Sequence, residues 1–221
     1  PIIGTYYRVP AWGPSGRDFN YVALNGRLHW TLMTADSVGT RTPFVDTVPL
    51  GAAFLWSPNG ATLALSDSDV DLFPPVGLRF YRRVGLYGTD GTRQVPEIED
   101  AVTFFWSPDS PKLAYLALGE VFGTLRIMVL DAVSGERWPI VEYIPTDRQL
   151  TVYQFFDQFA ASHLMWSPDS TRLVFSGRIL SQAVSAASGR QTVDSIIVAA
   201  ADGLSEPVAI AQGLLAFWSP R

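Results

Sequence analysis

The sequence contains no cysteine and no long apolar run. The missing cysteines exclude disulfides, thiol nucleophiles and zinc–thiolate sites. They leave the compartment open, because a cysteine-free chain suits oxidising and reducing spaces alike. The longest apolar runs, such as Ile196 to Ala201, fall far short of the roughly 18 residues that a membrane-spanning helix needs. We therefore expect no membrane insertion.

Positive charge is also in deficit. Sixteen lysine and arginine residues stand against 21 acidic ones, and the net charge is −5. Nucleic acids and anionic membranes need a cationic footprint, so nucleic acid is not an expected partner. The 221 residues allow one large domain or two small ones, and an apolar fraction of 48% is enough for a core.

A Trp followed two residues later by Pro recurs along the chain, about every 50 residues. The five copies begin at Trp12, Trp56, Trp106, Trp166 and Trp218. Self-similarity at this period is typical of repeat architectures. We expect these five tryptophans to hold equivalent structural positions.

Each full copy predicts two strands joined by a tight turn. Apolar residues stand seven and nine positions after the Trp, as Leu113 and Tyr115 do, which places them on one side of a strand. Pro and a following Asp, Asn or Ser suit the turn itself. Later in each unit an apolar strand runs into Asp and then Gly, which indicates a second hairpin. The unit is thus a meander of four strands, a to d. The one helix-like stretch, residues 154–163, is short.

Four-stranded units at this period are typical of the blades of a β-propeller. The stretches FFWSPDSPKLAYLA (104–117) and LMWSPDSTRLVFSG (164–177) resemble the blades of TolB-like propellers. The resemblance implies an all-β, WD40-like repeat fold, a bacterial scaffold that binds protein, and a periplasmic or otherwise extracytoplasmic location. Ser110 and Ser170 depart from the family motif, which has Gly at this turn position.

We predict a single propeller of antiparallel four-stranded blades. The expected blades are 1–49, 50–99, 100–148 and 149–211, and a strand at 212–221 begins or completes another blade. Since strand a recurs at both ends, we expect either a fragment of a larger ring or a ring closed by strands from both termini.

The candidate binding face carries the longest connections, because insertions in repeat folds collect on the functional side. Residues 66–77 and 177–191 join strands b and c, and residues 143–163 join strand d to the next strand a. The candidate binding residues are Tyr153, Phe155, Phe156, Asp157, Phe159, His163, Asp69 and Asp71. The aromatic side chains could instead cap the core beneath a long loop. The acidic residues at 67–71 lack the Gly and distal Glu of a calcium loop, so we predict no metal and no cofactor.

The predicted function is a non-catalytic scaffold that binds a protein or peptide through this face. The alternative is the gating propeller of a prolyl-oligopeptidase-like hydrolase with a separate catalytic domain. Such a hydrolase needs a Gly-x-Ser-x-Gly elbow with Asp and His, and no such elbow is present. A sugar-active propeller would need paired carboxylates, and no pair can be placed from the sequence.

Overall fold

The computed structural model describes residues 10–13, 15–24, 30–49, 51–66, 70–73, 78–180 and 193–219, with the backbone alone for 70–73, 95 and 96. Over these ranges the chain forms fifteen strands in two antiparallel sheets, together with two short helices. No helix of the described part is long and apolar enough to cross a bilayer.

The first sheet is a meander in which each strand pairs with the next along the chain. Its strands are β1 (Ala11–Trp12), β2 (Asp18–Leu24), β3 (Trp30–Asp36) and β4 (Arg41–Val45). Leu32 of β3 is fully buried in a small core that also contains Phe54 and Leu63. Because those two residues belong to the second sheet, the two sheets share this core.

The second sheet is continuous and antiparallel through the rest of the chain. Its strands are β5 (Phe54–Trp56), β6 (Thr62–Ser66), β7 (Val70–Phe73), β8 (Leu78–Gly88), β9 (Arg93–Trp106), β10 (Lys112–Leu118), β11 (Leu125–Asp131), β12 (Arg137–Pro145), β13 (Arg172–Ile179), β14 (Ser195–Ala200) and β15 (Val208–Gln212). All pair in chain order except β7, which pairs with β8 alone. The all-β, antiparallel fold class predicted from the sequence is confirmed.

Strand β9 is long because it serves two neighbours in succession. Its first part pairs with β8 and its last part with β10, so that Ala101 lies opposite both Tyr81 and Ala117. Asp100 has a φ of 51° just before this point. Asp tolerates the left-handed conformation better than most residues. β9 thus runs across the predicted blade boundary at 99–100, and the division of the chain into blades remains a prediction.

Tryptophan side chains form hydrogen bonds between successive groups of strands, where a group is the set of strands between one Trp-x-Pro copy and the next. Trp106 Nε1 donates to the carbonyl oxygen of Leu55 at 3.0 Å, and Trp166 Nε1 donates to that of Phe105 at 2.9 Å. Trp56 makes a similar bond of 2.7 Å to a side-chain oxygen of β2. Each of these bonds therefore joins the segment that ends at a tryptophan to the group of strands that precedes it.

The turns after the tryptophans are bonded to each other as well. Ser110 and Ser170 have φ values of 78° and 59°. Ser110 Oγ accepts a hydrogen bond from the backbone N–H of Asn59 at 2.8 Å, and Ser170 Oγ accepts one from that of Asp109 at 3.0 Å. Glycine would adopt this backbone with less strain, but it has no hydroxyl. The departure from the family motif thus supplies one extra bond between neighbouring turns.

The connection between β12 and β13 contains the helices α1 (Asp147–Tyr153) and α2 (Phe156–Phe159). Thr146 is the N-cap of α1, where its Oγ1 accepts a bond from the N–H of Gln149 at 3.1 Å. The sequence indicated a helix only around α2 and missed α1. A helix of seven residues is too short to show a 3.6-residue period, so its cap is the signal that could have found it.

Residues 213–218 lie against helix α1 and against Leu164, two residues before Trp166. The N–H of Trp218 donates to the carbonyl of Leu164 at 2.8 Å. Thr146 Oγ1 donates to the carbonyl of Leu214 at 2.5 Å. The N–H of Gly213 also donates to the carbonyl of Asp194 at 3.1 Å. The segment is therefore held by backbone bonds at both ends and by buried polar side chains, and its assignment to a further blade remains a prediction.

Candidate binding surface

Two of the predicted binding aromatics lie in the core. Tyr153 and Phe156 are each 1% exposed. The ring of Phe156 packs edge-on against Phe104 at 4.8 Å between centroids and against Tyr81 at 6.2 Å. A side chain without exposed surface cannot contact a partner, so the prediction that these two residues anchor one is wrong. Their role is to bury helices α1 and α2 against the sheet.

The buried face of α1 is closed by a pair of tyrosines. The hydroxyls of Tyr143 and Tyr153 are 3.1 Å apart and fully enclosed. Burial raises the pKa of both phenols, because a phenolate would lose its hydration there. Both groups therefore stay protonated, and either hydroxyl can donate to the other.

The other predicted aromatics are partly exposed and lie on α2 or next to it. Phe155 is half-buried, and Phe159 is 37% exposed. Half-buried His163 lies between rings, with its centroid 4.8 Å from that of Phe159 and 4.4 Å from that of Phe217. Phe217 joins this cluster through the fold and carries no signal in the sequence. We call Phe159, His163 and Phe217 the aromatic rim.

Of the acidic candidates, the structure describes the side chain of Asp157 alone. Asp157 is half-buried in α2. Asp69 lies outside the described residues, and of Asp71 only the backbone is described, in β7. In the described part of the chain no three His, Cys, Asp or Glu side chains lie close enough to hold a metal ion.

The described ends of two other long connections lie near the helices. Tyr81, which contacts Phe156, pairs with Val70 of β7 within the connection at 66–77. At the other side Gly177, where the connection at 177–191 begins, pairs with Pro145 just before α1. Residues 67–69, 74–77 and 181–192 of these connections lie outside the described residues.

A cavity of about 260 Å³ opens beside the aromatic rim. Its lining is almost entirely apolar and comprises Leu55, Trp56, Pro58, Phe105, Trp106, Pro108, Ala160, Leu164, Met165 and Trp166. Ala160 and Leu164 directly follow Phe159 and His163 in the chain, so residues next to the rim in sequence form part of the cavity wall. We call this space the tryptophan cavity.

The tryptophan cavity offers apolar surface and no free indole donor. The indole N–H groups of Trp56, Trp106 and Trp166 all donate to the hydrogen bonds between strand groups. Lys112 Nζ stands 5.7 Å from the ring centre of Trp166, which places a cation near one of these rings. A polar ligand such as a sugar would find few partners here, whereas an apolar side chain loses no hydrogen bond on entry.

Sequence reasoning assigned the repeated tryptophans to structure alone and missed this cavity. The signal was present: three Trp-Ser-Pro copies at equivalent places bring three indoles and two prolines towards one point. Its meaning depends on how neighbouring strand groups pack, which the local motif does not state.

Several solved structures share this fold. An oligogalacturonate lyase in complex with manganese is 16% identical, with 93% of this chain and 53% of the lyase covered and a TM-score of 0.55. The β-propeller domain of the Trilobed protease from Pyrococcus furiosus is 11% identical, with 91% and 57% covered and a TM-score of 0.52. TolB from Acinetobacter baumannii is 15% identical, with 92% and 43% covered and a TM-score of 0.48. No protein-family model and no curated protein matches the sequence.

These similarities define the class of the molecule as a β-propeller, and the predicted propeller fold is confirmed. The chain spans about half the length of the structures that it matches. One match is a lyase and another comes from a protease, so a propeller of this kind is shared by proteins of different activities.

Proposed function

We propose that this chain is a non-catalytic propeller scaffold that binds a protein partner through an apolar peptide segment at the tryptophan cavity and the aromatic rim. The observation that carries the proposal is the concave apolar cavity, open beside partly exposed aromatic side chains. Apolar anchors that fill such pockets dominate the binding energy of many protein interfaces.

The size of the cavity favours a side chain over a free small molecule. Pockets for drug-sized ligands hold roughly 300–1,000 Å³, and this one holds about 260 Å³. One bulky apolar side chain of a peptide would fill it, while the peptide backbone crosses the aromatic rim. Ala160 belongs to the connection at 143–163, so one of the long connections supplies part of the cavity wall.

The described residues do not favour a hydrolase. His163 contacts the hydroxyl of Ser162 at 2.8 Å, and its other contacts are the rings of Phe159 and Phe217. A serine hydrolase orients its histidine with a carboxylate, and none of these partners is one. His29 lies outside the described residues. The similarity to a protease propeller shows a shared fold and is no evidence of a shared activity.

Filling the cavity tests the proposal directly. The probe is a displayed library of random peptides, selected on the unmodified chain and then titrated as single synthetic peptides. We expect selected peptides to share one bulky apolar residue and to bind at least tenfold more weakly to Ala160→Phe, whose new ring occupies the cavity.

The matched control is Ala161→Phe, because Ala161 is the exposed neighbour of Ala160 and does not line the cavity. Binding should survive this change. Equal binding to both variants would place the site elsewhere on the propeller. Failure to select any peptide on the folded parent chain would contradict peptide binding itself.

A further inference from the structure

A second cavity lies between the first sheet and the strands that follow it. It is a groove of about 400 Å³. One wall comes from β2, β3, β4 and the turn before β2, and the other from Trp56 at the end of β5 and from the turn between β8 and β9. Both walls belong to neighbouring strands inside the chain, so the groove does not arise from either chain end. Trp56 also lines the tryptophan cavity, so the two cavities share this residue.

The first Trp-x-Pro copy departs from the later ones at the edge of this groove. Ser57 and Ser167 directly follow their tryptophans, and each serine Oγ accepts a hydrogen bond from the backbone N–H five residues further on. The first copy has Gly13 instead, and the residue five positions further on is Asp18. A Cβ at Gly13 would lie 2.6 Å from Oδ2 of Asp18. The glycine therefore leaves the space that the Asp18 carboxylate occupies.

A hydrogen bond from the turn fixes the Asp18 carboxylate at the wall of the groove. Ser15 Oγ donates to Asp18 Oδ1. Ser15 holds the position that Asp169 holds in the fourth copy, where the carboxylate stays at the turn and accepts from Ser167 Oγ at 2.5 Å. The first copy thus has its carboxylate at the start of β2, where it lines the groove.

Asp90 supplies a second carboxylate from the opposite wall. It lies in the turn between β8 and β9, and a Cβ at the next residue, Gly91, would collide with the carbonyl oxygen of Phe44 in β4. The glycine thus lets this turn lie directly on β4. Asp90 Oδ1 accepts from the N–H of Thr92 at 2.9 Å. Hydrogen bonds from Thr92 lower the pKa of Asp90, so this carboxyl is charged at neutral pH.

One aromatic ring from each wall completes the groove. The half-buried rings of Phe44 and Trp56 stand 5.6 Å apart between centroids, at 67° to each other. The indole N–H of Trp56 donates to Asn20 Oδ1 at 2.7 Å, and Asn20 Nδ2 donates to Thr34 Oγ1 at 2.8 Å. These bonds hold the Trp56 ring in one orientation and leave it no free donor. The two rings therefore offer apolar and π surface beside the carboxylates.

The chemistry of the lining decides the charge of the ligand. Besides the two carboxylates, its polar side chains are one serine and three threonines, and no Lys, Arg, His or amide side chain of the described residues lines it. An anion would face two carboxylates, and a neutral polyol would find few donors for its own oxygens. A guanidinium group carries donors only, bonds carboxylates through two parallel N–H groups and stacks on aromatic rings.

We propose that this groove binds the guanidinium group of an arginine side chain of a partner protein. Asp18 and Asp90 accept its hydrogen bonds, and the rings of Phe44 and Trp56 contact its planar face. The arginine site is separate from the apolar site at the tryptophan cavity, and neither proposal needs the other.

Titration with a single amino-acid probe tests the proposal. N-acetylarginine amide is added to the 221-residue chain at low salt, and the NMR signal of the Trp56 indole N–H reports binding. We expect a saturable shift of this signal. N-acetylcitrulline amide has the same shape without the charge and should bind about fivefold more weakly. Asp18→Asn and Asp90→Asn should each weaken arginine binding by about threefold or more, since an amide of the same size replaces a carboxylate.

Asp36→Asn is the matched control. It removes the same charge from an exposed turn of the first sheet, where Asp36 Oδ1 accepts from the N–H of Thr40 at 2.8 Å, and Asp36 does not line the groove. Arginine binding should be unchanged. Equal weakening by all three variants would show general charge attraction and overturn the site, as would equal binding of citrulline or the lack of a saturable shift. Ala160→Phe blocks the tryptophan cavity and should retain arginine binding, so the two proposals fail independently.

Discussion

The tryptophan of the Trp-x-Pro motif is exposed in the first sheet and partly or fully buried in the second. Trp12 is 70% exposed, whereas Trp166 is 1% exposed. Both tryptophans pair with the residue seven positions later: Trp12 at the end of β1 with Phe19, and Trp166, through an isolated bridge, with Leu173. The local structure is thus alike, and what differs is that the second tryptophan has a group of strands beneath it. The motif specifies a strand and a turn, and the neighbouring group of strands specifies burial.

The largest effect should come from truncating the two tryptophans in parallel. Trp166→Ala removes a buried ring and its bond to Phe105, so we expect a loss of about 3–5 kcal/mol in the free energy of unfolding. Trp12→Ala should change that free energy by less than about 0.5 kcal/mol, because an exposed ring buries little surface. Urea denaturation measures both. Equal losses would mean that the two copies are packed alike and would remove the contrast between the sheets.

A buried polar cluster of the second sheet, at helix α1, should give the next largest effect. Gln149 is 1% exposed, and its Oε1 lies 2.8 Å from Ser176 Oγ and 3.4 Å from the N–H of Ala216. Gln149→Leu leaves these donors without their acceptor, so we expect a loss of about 1–3 kcal/mol and faster proteolysis within residues 213–218. The control is Gln158→Leu, at an exposed position on α2, which should alter stability by less than about 0.5 kcal/mol.

Two substitutions at Ser170 separate the effect of backbone strain on stability from the effect of the hydrogen bond. Ser170→Ala removes the bond to the N–H of Asp109 and keeps a Cβ at positive φ, so it should cost about 1–2 kcal/mol. Ser170→Gly also removes the bond but relieves the backbone, and it should cost less than Ser170→Ala by about 0.5–1 kcal/mol. Thermal melts of the pair test this order. If Ser170→Gly destabilises the fold more than Ser170→Ala does, relief of backbone strain does not decide the stability of this turn.

The smallest expected effect is a change in stability at Asp169 that depends on pH. The pKa of Asp169 is lowered to about 2, first by a hydrogen bond from Ser167 and then by bonds from Thr171. Because the folded pKa lies below the unfolded value of about 3.9, the carboxylate stabilises the fold fully above that value, and this contribution is lost as the pH falls towards 2. Asp169→Asn should therefore lower the melting temperature at neutral pH and match the parent near the folded pKa.

The reverse change serves as the control for this titration. Asn59 fills the corresponding turn, where its Oδ1 accepts from Ser57 and from the N–H of Ala61. Asn59→Asp should add stability above the unfolded pKa and none at low pH. A difference between Asp169→Asn and its parent that stays constant across pH would show that shape, and not charge, matters at this turn.

Much of the fold could be read from local chemistry. Leu63, Leu113 and Leu173 lie opposite their tryptophans, and Gly39, Gly91, Gly135 and Gly203 all have positive φ at hairpin turns. Alternating apolar residues and turn formers act within a few residues, so a single sequence is enough to show them. Helix α1 escaped because seven residues are too few for a helical period to emerge.

The candidate site could be read only in part. The sequence indicated a cluster of aromatic side chains in the connection at 143–163, and it could not say which of them face inwards. Tyr153 and Phe156 turned into the core, and Phe159 with His163 remained partly exposed. Aromatic residues favour burial and binding for the same reason, the removal of apolar surface from water, so composition alone does not separate the two roles.

By itself the sequence determined the repeating strand–turn–strand unit, because Trp, Pro, Asp and the alternating apolar residues act on their immediate neighbours. Tertiary structure alone decided which copies of the unit are covered. It buried Trp166 and left Trp12 exposed, and it brought Trp56, Trp106 and Trp166 around one cavity. Burial and cavity shape depend on contacts between residues some 50 to 60 positions apart in the chain. No local pattern encodes such contacts, because they exist only once neighbouring groups of strands pack together.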